Sequence, residues 1–159
     1  MKIVKLFKLL LVCATLFSSS LVSAQQLSKP EEITPQFLKE TFEAAFITIE
    51  EVGDTYIKVK DTYSVFIDID PSKRFVTLSG IYRIVDGAKK DKVMDLMNKI
   101  NGEVALVKAV YSEKSNNFGY YYYFFTEGGF TKKSLIGAFK LYITALDLSL
   151  KKDTDKLIK

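Results

Sequence analysis

The chain has 159 residues with 23 basic and 19 acidic side chains, and it contains one cysteine, no histidine and no tryptophan. Without histidine and with a single cysteine, the usual zinc, haem and iron–sulfur ligand sets cannot be assembled from this chain. The Ser-His-Asp and Cys-His catalytic systems are excluded in the same way, so an enzyme would have to rely on carboxylates, lysines or tyrosines alone. We expect instead a protein that is not an enzyme and that needs no metal and no cofactor.

The first 24 residues have the layout of a secretory signal peptide. Lys2, Lys5 and Lys8 precede a short apolar run over residues 9–17, and Val22-Ser23-Ala24 supplies the small residues of a cleavage site. We therefore expect cleavage after Ala24 and export to the periplasm or the cell exterior. The apolar run is shorter than the about 20 residues that span a bilayer, so no stable membrane insertion is expected after cleavage.

Cleavage would change the composition of the protein. The leader carries three of the lysines and the single cysteine, Cys13, so 20 basic and 19 acidic residues would remain and no disulfide could form. The near-neutral balance argues against nucleic acid as a partner. We divide the remaining chain into a flexible lead over residues 25–33, one folded domain over 34–150 and a charged tail over 151–159.

Helix signals and strand signals follow one another along the domain. Thr34-Pro35 predicts the start of a first helix, and an apolar stripe extends that helix to near Gly53. A second helix is predicted from Asp86 to Asn101-Gly102, and a third begins at Thr131, after Gly128-Gly129. Alternating apolar residues predict five strands, over residues 56–60, 63–69, 75–84, 104–112 and 118–126.

The predicted order α-β-β-β-α-β-β-α, with short turns between strands, favours hairpins over a parallel sheet. We therefore expect an α+β fold with two layers, one antiparallel sheet with helices on one face. The predicted core consists of the large residues on the periodic apolar faces. They are Phe42, Phe46, Ile57, Val65, Ile67, Leu78, Leu96, Ile100, Leu135 and Phe139.

Two parts of the sequence resemble the YbjN family. Residues 96–101 (LMNKIN) are followed by 108–111 (KAVY), a polar turn and a long strand, and residues 128–131 (GGFT) lead into a helix with Leu135 and Phe139. Members of this family are described as proposed bacterial sensory transduction regulators. The resemblance covers about residues 34–150. It implies a fold like that of the type III secretion chaperones, and a chaperone-like or regulatory adaptor role.

The aromatic run over residues 120–125 is the candidate binding surface. Successive strand residues face opposite ways, so Tyr120, Tyr122 and Phe124 share one face, and Tyr121, Tyr123 and Phe125 share the other. If helices cover one face only, three aromatic residues point away from them, whichever set it is. The candidate surface comprises Phe66, Ile81, Tyr120, Tyr121, Tyr122, Tyr123 and Phe124.

Such a surface predicts a protein partner of unknown identity, and it predicts a homodimer in which the aromatic face of each copy is buried. The alternative function is a module that binds a small ligand or an envelope fragment in an aromatic pocket.

Other chemical motifs have simpler explanations. Asp68 and Asp70 lack the remaining ligands of a calcium loop, and they are interpreted as part of a hairpin turn. Ser149 and Lys152 match S-x-x-K, but the accompanying K-T-G motif of the penicillin-interacting enzymes is missing. Asn98 and Asn101 are predicted to satisfy backbone groups at the end of their helix.

Overall fold

The computed structural model describes residues 27–159, so the predicted leader lies outside the described part of the chain. Within these residues, three α-helices pack on one face of a six-stranded antiparallel sheet, which confirms the predicted α+β class and the two layers. The helices are α1 (Pro35–Glu43), α2 (Lys90–Glu103) and α3 (Lys132–Leu150). The strands are β1 (Thr48–Val52), β2 (Tyr56–Lys60), β3 (Ser64–Ile69), β4 (Phe75–Arg83), β5 (Lys108–Ser112) and β6 (Asn117–Phe125).

The strands lie in the order β1-β2-β3-β4-β6-β5. The two long strands β4 and β6 pair along their whole length, from Phe75 opposite Phe125 to Arg83 opposite Asn117. Helix α2 connects β4 to the edge strand β5, which returns through a short turn to β6. None of the helices within residues 27–159 is long and apolar enough to cross a membrane.

Helix α1 begins as predicted but ends well before Gly53. The Thr34 hydroxyl accepts a hydrogen bond from the Phe37 N–H at 3.1 Å and caps the first turn. At the other end, the Ile47 N–H donates to the Phe42 carbonyl, and Phe46 takes the left-handed conformation with φ 60°. This is the hydrogen-bond pattern of a Schellman motif, which terminates a helix.

The chain after this motif forms β1, a sixth strand that the sequence pattern did not predict. The extension of the first helix to Gly53 was therefore wrong. A non-glycine residue occupies the position where a helix stop is usually marked by glycine, so the stop carries no recognisable signal.

The core lies between the sheet and the helices. Nine of the ten predicted core residues are buried, and the exception is Phe46, whose side chain is 99% exposed. Phe46 was placed in the core because it continued the helical stripe, and that prediction was wrong because the helix ends before it. Phe42 makes an edge-to-face contact with Phe139 of α3, with ring centroids 5.1 Å apart.

The two ends of the described chain are attached to the domain. Ser28 and Phe130 exchange backbone hydrogen bonds of 2.7 and 3.0 Å, and Ile33 is buried. In the tail, the Asp153 carboxylate accepts the N–H groups of Leu157 and Ile158, both at 2.9 Å. Lys159 also exchanges backbone hydrogen bonds with Arg83, so the charged tail is a packed segment beside the end of β4.

Two cap predictions had different outcomes. Thr131 caps α3 as expected, since its hydroxyl accepts the Ser134 N–H at 3.0 Å. Asp86 does not cap α2, which begins at Lys90, and its carboxylate instead pairs with Lys159 at 3.2 Å.

Candidate functional site

Packing against the helices determines which aromatic side chains of β6 face the core. The Tyr142 hydroxyl of α3 donates to the backbone carbonyl of Tyr120 at 2.8 Å, and the Tyr120 ring is fully buried. Tyr122 and Phe124 have the same orientation and pack against the core. These three residues therefore belong to the helix side and are excluded from the candidate surface.

The opposite set faces away from the helices. We use the name open face for the side of the sheet that none of the described helices covers. Ile81 is 48% exposed, Tyr123 40% and Phe125 68%, while Phe66 and Tyr121 are partly buried among their neighbours. The open face therefore keeps Phe66, Ile81, Tyr121 and Tyr123 of the predicted candidate surface.

The structure adds aromatic residues that the predicted surface lacked. Phe75 on β4 contacts Tyr123 and Phe125, with centroids 5.5 and 6.1 Å apart. Tyr56 on β2 lies 5.8 Å from Phe66. Strand alternation could have identified both residues, but their neighbours across the sheet depend on strand order and register.

A glycine makes room for one of these rings. A Cβ atom placed on Gly119 would lie 2.5 Å from the Tyr121 ring, so that ring lies flat on the backbone of its own strand. A larger residue at position 119 would displace the ring. The exposed part of the open face is thus a broad surface in which rings lie along the strands.

One carboxylate lies within this aromatic surface. Asp68 faces Tyr56 on one neighbouring strand and Thr77 on the other, and Tyr123 follows across the next strand. Burial raises the pKa of the Asp68 carboxyl. Within residues 27–159, no hydrogen bond or ion pair reaches this carboxylate under ordinary distance limits.

The basic residue of the open face that lies nearest to Asp68 in the strand register already has an ion-pair partner. Lys58 Nζ lies 3.2 Å from a Glu50 carboxylate oxygen and 5.5 Å from the centroid of the Phe66 ring. Hydrogen bonds from Ser64 and Lys58 lower the pKa of Glu50. Lys60 on β2 and Lys108 on β5 are exposed, and the strand register places both on the open face.

Both edges of the sheet are unfavourable for the addition of another strand. At β5, the Asn101 amide donates to the Ala109 carbonyl at 3.0 Å and accepts the Ala109 N–H at 2.7 Å. The Asn101 side chain thus forms hydrogen bonds with the Ala109 N–H and carbonyl groups, which an added strand would otherwise pair with. At the other edge, β1 carries a bulge between Ile49 and Glu51, which distorts the pairing pattern.

The remaining predicted motifs have structural roles. Asp70 does not join Asp68 in a site, because its carboxylate accepts the Ser72 N–H at 3.1 Å within the β3–β4 turn. Gly128 and Gly129 have φ values of 86° and 91°, so the turn before α3 requires glycine. In the part of the chain that the structure describes, no three acidic side chains are placed to hold a metal ion.

The depressions beside the open face are wide. One of about 370 Å³ is lined by Lys58, Lys60, Phe66, Ile81 and neighbouring residues, and another of about 350 Å³ lies beside Tyr121, Tyr123 and Phe125. The first is partly open and the second is shallower, whereas small-ligand sites usually enclose most of their ligand.

Comparisons with known proteins identify the fold. The chain is similar to the crystal structure of YbjN from E. coli, a protein proposed to be a transcription regulator, with a TM-score of 0.67 and 11% sequence identity. The superposition covers 78% of this chain and 94% of YbjN. No family model matches the sequence, and no curated protein is significantly similar to it. At this identity, the similarity shows a YbjN-like fold.

Proposed function

We propose that this chain is an exported, non-enzymatic domain that binds another protein through its open face, as a chaperone-like or regulatory adaptor in the cell envelope. One observation carries the proposal. A contiguous set of exposed aromatic and aliphatic side chains lies on the sheet side without helices, while Asn101 and the β1 bulge obstruct the two edges. Exposed apolar surface of this kind is typical of protein interaction sites.

The breadth of the surface favours a protein over a small ligand. Exposed apolar residues extend from Ile81 on β4 to Tyr123 and Phe125 on β6, and Val110 continues them on β5. An aromatic pocket for small ligands or envelope fragments would lie in the partly open depression near Phe66 or in the shallower one beside Tyr121 and Tyr123, and neither is an enclosed cavity. The YbjN-like fold is compatible with a regulatory adaptor, but a fold does not determine a function.

Site-specific photo-cross-linking tests the proposed surface. A photoreactive phenylalanine analogue at Tyr123 should cross-link to a partner in the producing cell, because this side chain is exposed at the centre of the aromatic set. The same analogue at Lys133, an exposed residue of α3, is the matched control. Equal adducts at both positions, or adducts at Lys133 alone, would place binding elsewhere and contradict the proposal.

Export is tested by the mass of the protein recovered outside the cytoplasm. The order of charged, apolar and small residues over residues 1–24 supports removal of that segment, which leaves Gln25 as the first residue. Intact-mass measurement should match residues 25–159. A retained leader, or a lipid attached to Cys13, would contradict this processing.

A further inference from the structure

Asp68 is an unusual member of the open face. Its strand neighbours Ile67 and Ile69 point into the core side, so the Asp68 side chain points outward beside the ring of Phe66. Tyr56 is its direct neighbour on β2. A carboxylate among rings loses part of its hydration, and the raised pKa of Asp68 reflects this loss.

No cation among the described residues compensates this carboxylate. Lys58, the lysine of β2 that lies nearer to Asp68 in the strand register, pairs with Glu50 and lies over the Phe66 ring. A partner that covered the open face with apolar groups alone would bury the Asp68 carboxylate unpaired, which is costly. A partner with an acidic group at this point would be repelled.

We propose that the open face selects a protein partner that places a basic side chain, Lys or Arg, against the Asp68 carboxylate. Apolar side chains of the partner, on either side of that basic residue, would pack against Tyr123 and Phe66. This inference rests on the proposed function and names the chemistry of its partner. The basic group would form a charge-assisted hydrogen bond to the carboxylate and would lie against the faces of the neighbouring rings. Tyr56 and Phe66 are the rings placed to contribute that second attraction.

The inference can be tested with three synthetic peptides that differ at one position. Each has a central Arg, Gln or Glu flanked by leucine and serine residues, and its affinity for the purified protein is measured by calorimetry. The Arg peptide should bind about ten-fold more tightly than the Glu peptide, because a charge-assisted hydrogen bond is gained and repulsion is avoided. The difference should shrink at high salt.

Asp68→Asn should remove this preference, because the amide keeps the shape of the side chain and loses the charge. Asp91→Asn is the matched control, since Asp91 is exposed at the start of α2 and lies away from the open face. The control should retain the full preference for the Arg peptide. Loss of the preference in both variants would show that net charge, and not Asp68, causes it, and would overturn the inference.

Three further outcomes would also overturn the inference. Equal affinity for the three peptides would show a face without charge selection, and the absence of binding to all three would show that such a segment is not its partner. If sedimentation shows that Asp68→Asn changes self-association, the occupant is a second copy of this chain. Cross-linking at Tyr123 tests the proposed function separately, so a failure here leaves that result standing.

Discussion

Two buried tyrosines on facing elements differ in whether their hydroxyl groups have a partner. The Tyr142 hydroxyl donates to the Tyr120 carbonyl, whereas the Tyr120 hydroxyl has no hydrogen-bond partner within the described residues. Burial raises the pKa of both groups, so both remain protonated.

These contacts predict opposite effects of removing the two hydroxyl groups. Tyr142→Phe should lower the free energy of unfolding by about 0.5–1.5 kcal/mol, because it loses a hydrogen bond. Tyr120→Phe should leave that free energy unchanged or raise it, because no bond is lost. Urea denaturation measures both effects, and equal losses in the two variants would contradict the assignment.

The Asp68 carboxyl predicts a pH dependence of stability. Burial raises the pKa of this carboxyl, so the folded state favours its protonated form. The resulting contribution to the free energy of unfolding is present below the ordinary carboxyl pKa, and it is lost as the pH rises through the raised value. Asp68→Asn should therefore stabilise the protein at neutral pH, by less than about 1 kcal/mol because solvent screens a half-exposed group. Near pH ~3 the gain should vanish, because the carboxyl is then largely protonated. Urea denaturation at both pH values is the measurement, and an equal gain at both would contradict this origin.

At the level of elements, the end of α1 contains a strained residue. Phe46 holds a left-handed conformation at φ 60° while its side chain is almost entirely exposed. The ring therefore contributes little burial, and the backbone conformation is unfavourable for a residue with a Cβ atom.

Phe46→Gly should consequently raise the free energy of unfolding by up to about 1 kcal/mol, because glycine adopts this conformation without steric cost. Phe46→Ala is the matched control, since it removes the ring and keeps the strained conformation. Thermal melts of both variants distinguish the two effects. A gain in the alanine variant as large as that in the glycine variant would show that the ring, and not the backbone, matters.

The β5 edge depends on one side chain from α2. Asn101→Ala removes both hydrogen bonds to Ala109 and should lower the free energy of unfolding by about 1–3 kcal/mol, because backbone groups lose their partners. It should also favour edge-to-edge association. Asn98→Ala is the control, since Asn98 is exposed on the same helix.

Hydrogen exchange at the Ala109 amide and gel filtration measure the two effects at the β5 edge. Faster exchange and larger species are expected for Asn101→Ala alone. Unchanged exchange in that variant would show that the side chain does not protect the edge.

For the whole molecule, the open face predicts self-association. Burying the aromatic residues of two copies against each other would remove apolar surface worth roughly 25 cal/mol per Å², before the cost of association is subtracted. In the absence of its partner, we expect the purified domain to form a dimer at about micromolar concentration, and the partner would compete with the second copy for this face. Tyr123→Lys should give a folded monomer, because Tyr123 is exposed on this face. Sedimentation that shows a monomer well above that concentration would exclude the dimer and leave the face for another partner.

Local patterns predicted much of this fold because they follow from short-range chemistry. The caps Thr34 and Thr131 begin α1 and α3 as expected, and alternation identified five of the six strands. The end of α1 could not be predicted in this way. Phe46 continues the apolar stripe in sequence, and only the hydrogen bond from Ile47 to Phe42 shows that the helix has already stopped.

The candidate site shows the same limit. Strand alternation alone shows that β6 carries aromatic side chains on both faces, and that one set is exposed if helices cover one side. It could not determine which set, because both are equally apolar and the alternation has no preferred direction. The packing of α3 decided it: Tyr142 and Leu146 lie closely over Gly80, so Tyr120 is buried and Tyr121 and Tyr123 remain on the open face. The position of Asp68 among these rings likewise depends on strand register, which only the tertiary structure establishes.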